Sequence, residues 1–221
     1  MASGNDLDVY FLGCVDFEDA RTLQEELVNA VLCGDGKEGL ICCEHFPVLS
    51  FGKSQVVDRE LCSALGIRGV KTDRGGLLTY HCPGQLVIYP VVDLRRRRWG
   101  LRKFVEGVLR ELAIVSNEFF LSDVDVECYP RMDCVGLWAS RQGVETKIGF
   151  AGLRVQNGIT NHGFSLNVDC EIEPFRRFSP CGLAGIEVSS LVELSGRHNW
   201  DCLRFAHQVC DRLKKFSPFF E

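Results

Sequence analysis

The sequence has none of the features that would direct a protein into or across a membrane. Its first residues, Met1 to Asp8, carry neither a basic segment nor an apolar one, so they do not resemble a signal peptide. No apolar run approaches the roughly 20 residues that a membrane-spanning helix needs. We therefore expect no membrane association and a cytoplasmic location, or a mitochondrial one if the source is eukaryotic.

The chain also lacks the excess of positive charge that is typical of proteins that bind nucleic acids. Its formal net charge is −5 and its pI is near 5.6, so we expect no nucleic-acid partner. The one basic run is Arg95 to Arg98. We interpret it as a solvated turn between a strand and a helix in preference to a partner-binding patch, although an acidic partner could dock there.

Metal-binding spacings are missing, although the chain contains twelve cysteines. No C-x-x-C occurs, and neither Cys42-Cys43 nor the pair Cys128 and Cys134 has the spacing of a zinc finger. A chain of 221 residues does not need disulfides to stabilise its core. We expect free thiols, most of them buried, and we predict neither a metal nor a cofactor.

A phosphate-binding loop is absent as well. Gly52-Lys53-Ser54 has the last residues of such a loop, but the glycine required five positions before Gly52 is replaced by Pro47. Proline has no backbone N–H that could bind a phosphate. The sequence therefore argues against nucleotide binding at this segment.

What the chain does contain is enough apolar residues for one sizeable core, because 46% of its 221 residues are hydrophobic. It shows no internal repeat, low-complexity tract or flexible linker. We therefore interpret residues 1–221 as a single domain.

Apolar periodicity predicts a mixture of helices and strands. The strongest helix pattern runs from Leu101 to Leu112, and the near-continuous apolar run from Leu86 to Val92 indicates a buried strand. Because the two kinds of element do not alternate strictly, we predict an α+β fold with helices packed on a mixed sheet. The other predicted elements are strands at Asp8 to Leu12 and Leu40 to Cys43, a helix from Ala20 to a turn at Gly34-Asp35-Gly36, a strand pair Gly149 to Val155 and Gly163 to Val168 joined by Asn157-Gly158, and a last helix from about Trp200 to Phe216.

The densest local pattern, RGGLLTYHCPGQ, runs from Arg74 to Gln85. Its adjacent glycines, Gly75 and Gly76, would let the backbone approach a ligand closely, because neither has a Cβ. Arg74 and His81 would supply polar groups on either side. The alternative is a glycine-rich hairpin whose polar residues only satisfy the turn.

Two further positions could carry chemistry. Lys147 opens a glycine-broken apolar run, where it is either an exposed charge at a strand end or a partly dehydrated amine. Cys181 lies between Pro180 and Gly182, which predicts a sharp turn able to present its sulfur. From spacing alone, Cys181 ranks only slightly above the other eleven cysteines.

Together these segments resemble the octanoyl transferase family of lipoate biosynthesis, over roughly Glu44 to Leu191. Arg74 to Gln85 meets the family's pattern of Arg-Gly-Gly, two free positions, Thr, aromatic, His, two free positions, Gly and Gln. The remaining matches are Lys147-Ile148, His162-Gly163, Leu166-Asn167 and Pro180-Cys181-Gly182, preceded by Glu44-His45 and Pro47-Val48.

The resemblance implies a fold similar to that of biotin and lipoate protein ligases, with Cys181 as the nucleophile and Lys147 beside it. Phe150-Ala151 stands where the family usually has a small residue followed by Ile or Leu, which leaves the preferred acyl-chain length open. The acyl-binding positions implied by the resemblance are Arg74, Gly75, Gly76, Leu77, Leu78, Thr79, Tyr80, His81, Phe150, Ala151, Gly152, Gly163, Phe164 and Ser165.

The reaction implied by the resemblance moves an octanoyl group from octanoyl-acyl carrier protein to a lysine, through a thioester on cysteine. The implied acceptors are the lipoyl domains of 2-oxoacid dehydrogenase E2 subunits and the glycine cleavage H protein. Lys147 would favour the Cys181 thiolate, because a nearby positive charge lowers the pKa of a thiol. Two alternatives stay open: an ATP-dependent lipoate protein ligase on the same fold, and a non-catalytic module that binds carrier domains.

Overall fold

A computed structural model gives the fold and describes residues 7–178, 185–197 and 202–215. The strands are β1 Asp8–Val15, β2 Gly39–His45, β3 Val48–Phe51, β4 Arg68–Lys71, β5 Thr79–His81, β6 Gln85–Val91, β7 Glu127–Arg131, β8 Gly136–Arg141, β9 Val144–Gln156 and β10 Ile159–Asn167. The helices are α1 Phe17–Cys33, α2 Arg59–Leu65, α3 Leu101–Ser116, α4 Leu191–Ser195 and α5 Cys202–Lys215, with a π-helical turn at Asn117–Leu121 and a 3-10 turn at Glu173–Arg177. Within the described ranges no helix is both long and apolar enough to cross a membrane.

The strands form two sheets. The larger sheet has the order β1-β2-β6-β10-β9-β8-β7; β1 and β2 are parallel, and the other neighbours are antiparallel. The smaller sheet has the order β4-β3-β5 and is also mixed. Helices and mixed sheets are thus combined without strict alternation, and the predicted α+β class is confirmed.

Helices cover the larger sheet on both faces. Leu40 of β2 packs in the core beneath α3 and α5, whereas its neighbour Ile41 packs in the cluster beneath α1. In β6, Leu86 likewise packs in the core beneath α3 and α5, whereas Val87 packs in the cluster beneath α1. Burial on both faces explains the near-continuous apolar runs of these central strands.

Most of the predicted elements are present, with their predicted end signals. Helix α1 begins after Asp16, whose carboxylate accepts a hydrogen bond from Glu18 N at 2.9 Å, and it ends at a left-handed Gly34. Asn157-Gly158 turns the β9–β10 hairpin with positive φ at both residues. The last predicted helix is α5; the predicted ends at 200 and 216 lie outside the described residues.

The smaller sheet, α2 and the β7–β8 pair were not predicted. Strands β3, β4 and β5 are four, four and three residues long, too short for an alternating pattern to stand out. Helix α2 has only seven residues, and its apolar residues Leu61, Cys62 and Leu65 are only partly buried, so its apolar face is too short for periodicity to detect. Strands β3 and β5 matter to the candidate site described below, because they flank the segment from Arg74 to Leu78 that covers its cavity.

The basic run lies in the turn between β6 and α3, as predicted, but it is not wholly solvated. The side chain of Arg97 is 8% exposed and forms an ion pair with Glu38, whose side chain is 1% exposed. Exposed Arg96 approaches the same carboxylate at 2.8 Å, and Asp93 N donates to it at 3.0 Å. Because a buried carboxylate is tolerated only with its charge balanced, these contacts fix the turn on the start of β2.

Replacing Arg97 with alanine should lower the free energy of unfolding by about 2 kcal/mol or more, because the buried Glu38 carboxylate would keep only exposed Arg96 as a charged partner, beside the N–H of Asp93. The matched control is Arg98→Ala, at an exposed position of the same run, which should change stability by less than about 0.5 kcal/mol. Urea unfolding of both variants measures the difference. Equal stability of the two variants would contradict a structural role for Arg97.

Candidate active site

A cavity of about 550 Å³, its open mouth included, lies between the larger sheet and the segment from Arg74 to His81. Its floor crosses three adjacent strands, because Ser165 of β10 is paired with Val87 of β6 on one side and with Phe150 of β9 on the other. Paired residues of antiparallel strands point to the same face. The small Ser165 therefore forms the middle of a trough whose two sides are apolar.

The segment from Arg74 to Leu78 covers this trough and is tied to both sheets. Buried Arg74 donates through Nη2 to Ser50 O at 2.5 Å and to Ser50 Oγ at 2.9 Å, which attaches it to β3. Gly75 N donates to Leu153 O of β9 at 3.0 Å. The cover is thus held by hydrogen bonds at its first two residues.

Glycine is needed in this cover for reasons that differ between positions. Gly76 has φ of +78°, a left-handed conformation, although an added Cβ would meet only ordinary contacts there. The close backbone approach occurs at Gly52, where an added Cβ would lie 2.0 Å from Gly76 O. The contact at Gly52 is between two protein segments, so a close approach of a ligand to Gly75 and Gly76 stays a prediction, and Gly76 is required for its φ.

Lys147 is completely buried in β9, so the interpretation as an exposed strand-end charge is wrong. Its Nζ donates to Val135 O at 2.9 Å and lies 3.8 Å from Cys134 Sγ. The amine also lies 5.2 Å from the ring centroid of Phe150 and 5.6 Å from that of Trp138. Because Val135 and Phe150 both line the cavity, the amine is directly behind its wall.

The backbone around Lys147 is irregular in a way that makes room for its side chain. The β8–β9 register shifts between Leu137, paired with Gly149, and Trp138, paired with Lys147. At the start of β8, an added Cβ on Gly136 would lie 2.5 Å from Lys147 Cε. A glycine and a β-bulge therefore provide the space that a long side chain needs inside a sheet.

The predicted nucleophile, Cys181, lies outside the described residues; of its two flanking segments, one pairs with the backbone of Lys147 and the other packs on aromatic residues beside the cavity. On the C-terminal side, Lys147 N donates to Glu187 O at 2.8 Å, and Ser189 N donates to Lys147 O at 3.1 Å. On the N-terminal side, Phe178 contacts Phe175 with ring centroids 5.8 Å apart. The ring of Phe175 in turn stacks on the cavity residue Phe150 at 5.1 Å.

A line of buried polar side chains runs under the cavity. Ser50 Oγ lies 3.3 Å from His81 Nε2, and His81 Nδ1 lies 2.6 Å from Gln85 Oε1. Gln85 Nε2 donates to Asn167 Oδ1 at 2.9 Å, and Asn167 Nδ2 donates to Ser189 O at 3.0 Å. We call this set, from Ser50 to Ser189, the polar chain; it joins the covered side of the cavity to the segment paired with Lys147.

The hydrogen bonds of the polar chain all point the same way. The oxygen of Gln85 can only accept, so His81 Nδ1 carries the proton and Nε2 accepts from the Ser50 hydroxyl. Burial keeps the pKa of His81 well below its ordinary value, which is consistent with a neutral ring. Since Arg74 donates to Ser50 Oγ, the donors run in one direction from the guanidinium to Ser189 O.

A second neutral histidine, His45, positions a tyrosine that lines the cavity. Burial lowers the pKa of His45 from 6.5 to about 4. Its Nδ1 lies 3.1 Å from Val15 O, which can only accept, so its Nε2 accepts from the Tyr89 hydroxyl at 2.7 Å. The phenol of Tyr89, which lines the cavity, is thus fixed in place.

Twelve of the fourteen predicted acyl-binding residues line the cavity: Arg74, Gly76, Leu77, Leu78, Thr79, His81, Phe150, Ala151, Gly152, Gly163, Phe164 and Ser165. Gly75 and Tyr80 do not; Tyr80 packs on Phe175 with ring centroids 5.6 Å apart. Five further residues complete the lining: Phe17, Val87, Tyr89, Val135 and His162. Of these only His162 belongs to a recognisable motif, so the other four could not be found from local pattern.

Within the part of the chain that the structure describes, no group of His, Cys, Asp and Glu could hold a metal ion. Gly52-Lys53-Ser54, the segment similar to a phosphate-binding loop, uses Lys53 N to donate to Arg74 O at 3.0 Å. That backbone N–H supports the cavity cover and does not point to an open phosphate site.

The architecture defines the fold class of the protein. A bipartite lipoate protein ligase from Thermoplasma acidophilum has a TM-score of 0.64 to this structure at 16% identity, covering 95% of this chain and 83% of that chain. Biotin protein ligase from Aquifex aeolicus has a TM-score of 0.55 at 13% identity, covering 94% and 69%. The predicted fold similarity to lipoate and biotin protein ligases is confirmed.

Sequence comparison gives the family within this class. Residues 16–214 match the lipoyl protein ligase A/B catalytic domain. An octanoyltransferase of Geotalea uraniireducens (strain Rf4) is 37% identical over 185 residues, which are 84% of this chain and 81% of the relative. The chain therefore belongs to the octanoyltransferase family.

Replacing Gln85 with glutamate should lower the free energy of unfolding by about 2 kcal/mol or more. The new carboxylate oxygen would face Asn167 Oδ1 and Tyr80 O, two acceptors that now receive hydrogen bonds from Gln85 Nε2. Gln208→Glu, at an exposed position of α5, is the matched control and should change stability little. An unfolding midpoint unchanged in Gln85→Glu would show that the polar chain does not stabilise the site.

Proposed function

We propose that this protein transfers an octanoyl group from octanoyl-acyl carrier protein to a lysine of a lipoyl domain, through a thioester on Cys181. Residues 1–221 act as one catalytic domain. The acceptors are lipoyl domains of 2-oxoacid dehydrogenase E2 subunits and the glycine cleavage H protein. The proposed location is the cytoplasm, or the mitochondrion of a eukaryotic source, because the reaction needs a reduced thiol.

One observation carries this proposal: the buried amine of Lys147 lies directly behind the wall of an apolar trough, and its backbone is paired with the segment that follows Cys181. Cys181 is three residues from Phe178 and six from Glu187. The described residues on either side support the proposed pairing of Cys181 with Lys147, because Phe178 packs on Phe175 at the aromatic side of the cavity and Glu187 O accepts from Lys147 N.

The reaction proceeds in two acyl transfers, in which the cysteine first accepts and then donates the octanoyl group. The Cys181 thiolate attacks the thioester carbonyl of the donor, the carbonyl carbon bonds to Sγ, and the carrier thiolate leaves and takes up a proton. The acceptor lysine, as a neutral amine, then attacks the new thioester; an amide forms, and the amine proton passes to a base while Cys181 leaves as a thiolate. Neither transfer needs ATP, because the donor is already an activated thioester.

Lys147 has two roles in this scheme. As an ammonium near Cys181 it stabilises the thiolate, which is the reactive form of a cysteine. As a neutral amine it accepts the proton released by the attacking lysine. A fully buried position suits both roles, because charge effects are stronger where water is excluded.

Thr79 provides a polar contact suited to the acyl donor. Thr79 lines the cavity, and its buried Oγ1 has no hydrogen-bond partner among the described residues. An unsatisfied buried hydroxyl costs about 1 to 3 kcal/mol, which a ligand carbonyl oxygen would relieve. This favours a ligand with an apolar chain and a polar end, as an acyl thioester has.

The decisive assay incubates the protein with octanoyl-acyl carrier protein and an isolated lipoyl domain, with and without ATP, and measures the acceptor's mass. We expect octanoylation of the lipoyl lysine without ATP, its loss in Cys181→Ser, and its retention in Cys33→Ser, a control at an exposed cysteine. Transfer that required ATP would identify a ligase instead. Binding of the carrier without any transfer would identify a carrier-binding module.

The two roles of Lys147 can be separated by substitution. Lys147→Ala should slow alkylation of Cys181 near neutral pH and raise the pH midpoint of alkylation toward 8.5, because the ordinary pKa of cysteine is about 8.5. Lys147→Arg keeps the charge and should preserve fast alkylation, yet it should lose acyl transfer because arginine does not give up its proton. The assay follows iodoacetamide labelling of Cys181 by peptide mass. An alkylation profile unchanged in Lys147→Ala would remove Lys147 from the mechanism.

A further inference from the structure

The acyl cavity has an open end and a closed end. At the end near Lys147, Val135 is 38% exposed. At the other end Phe17, Val87 and Tyr89 are 3%, 1% and 4% exposed. An acyl chain whose carbonyl is near Lys147 would therefore extend away from solvent toward these three residues.

The closed end is rigid because each of its three side chains is packed or hydrogen-bonded from behind. Val87 and Tyr89 belong to the apolar cluster beneath α1. The hydroxyl of Tyr89 is held by His45 Nε2 at 2.7 Å. Phe17 contacts the rings of His45 and His81 with centroids 5.2 and 5.9 Å away. A chain that reached this end would meet a wall that could move only by disturbing α1.

The length of the trough matches one particular acyl chain. Its floor crosses from Phe150 on β9, over Ser165 on β10, to Val87 on β6. Two strand spacings of about 4.8 Å give about 9.6 Å for this crossing. An extended chain of eight carbons has seven bonds and advances about 1.3 Å per bond, or about 9 Å. Two more carbons would exceed the crossing.

We propose that Val87, Tyr89 and Phe17 form the stop that limits the acyl chain to eight carbons, and that Val87 is the main specificity-determining residue. This proposal rests on the proposed acyl-transfer function. Val87 is the central candidate because it is the β6 member of the floor row, paired directly with Ser165. Shortening its side chain extends the trough along the direction in which the chain lies.

The test compares Val87→Ala with Val91→Ala, a matched control on the same strand and the same face. Val91 is completely buried but does not line the cavity, so the two substitutions remove the same atoms from equally buried sites. Acyl carrier protein loaded with hexanoyl, octanoyl, decanoyl or dodecanoyl groups is the donor. The readouts are the mass of the acyl-enzyme and the initial rate of transfer to the lipoyl domain for each chain length.

We expect the decanoyl-to-octanoyl rate ratio to rise about tenfold in Val87→Ala, because the last two methylene groups of the decanoyl chain would then be buried in the extended trough. The ratio should stay unchanged in Val91→Ala. Phe17→Leu, which trims the same wall from α1, should shift the ratio in the same direction and serves if Val87→Ala does not fold. Equal ratios in Val87→Ala and Val91→Ala, with octanoyl transfer intact, would overturn the stop and leave the proposed function standing. Absence of transfer from every donor in the unaltered protein would overturn the proposed function itself.

Discussion

A lysine side chain buried in the middle of a β-sheet is the constraint on which this site depends. Transferring an amine from water into a protein interior is unfavourable unless its hydrogen-bonding capacity is used. The amine of Lys147 uses part of this capacity by donating a hydrogen bond to Val135 O, and it lies over the rings of Phe150 and Trp138. The bulge in β9 and Gly136 make the room that the arrangement needs. Val135 and Phe150, which contact the amine, also line the cavity.

The polar chain links this amine's surroundings to the cover of the cavity. Its hydrogen bonds begin at the Arg74 guanidinium and end at Ser189 O, two residues beyond the carbonyl of Glu187 that pairs with Lys147 N. Because all donors point the same way, each bond polarises the next, and a break at one member affects the orientation of the others. The cover that would contact the acyl chain and the segment that follows Cys181 are therefore held by one buried network.

Local sequence patterns predicted much of the fold, whereas they predicted only some of the residues that form the site. The stripe from Leu101 to Leu112 and the run from Leu86 to Val92 predicted α3 and β6, because each is buried along a regular face. The motif at Arg74 marked the cavity cover. Burial of Lys147 could not be decided from sequence, since it depends on side chains brought together from β8, β9 and the turn before β8.

Other residues of the site could not be predicted from local sequence either, because their contacts join positions that are distant along the chain. Ser50 and Ser189 are ordinary serines whose roles arise from partners 31 and 22 residues away. Phe17 begins a helix whose apolar spacing predicts only packing. Whether Cys181 carries the acyl group beside Lys147 can be determined by exposing the protein to octanoyl-acyl carrier protein without acceptor and mapping the adduct by peptide mass spectrometry. We expect a single octanoyl thioester on Cys181; a thioester on any other cysteine, or none, would contradict the proposed mechanism.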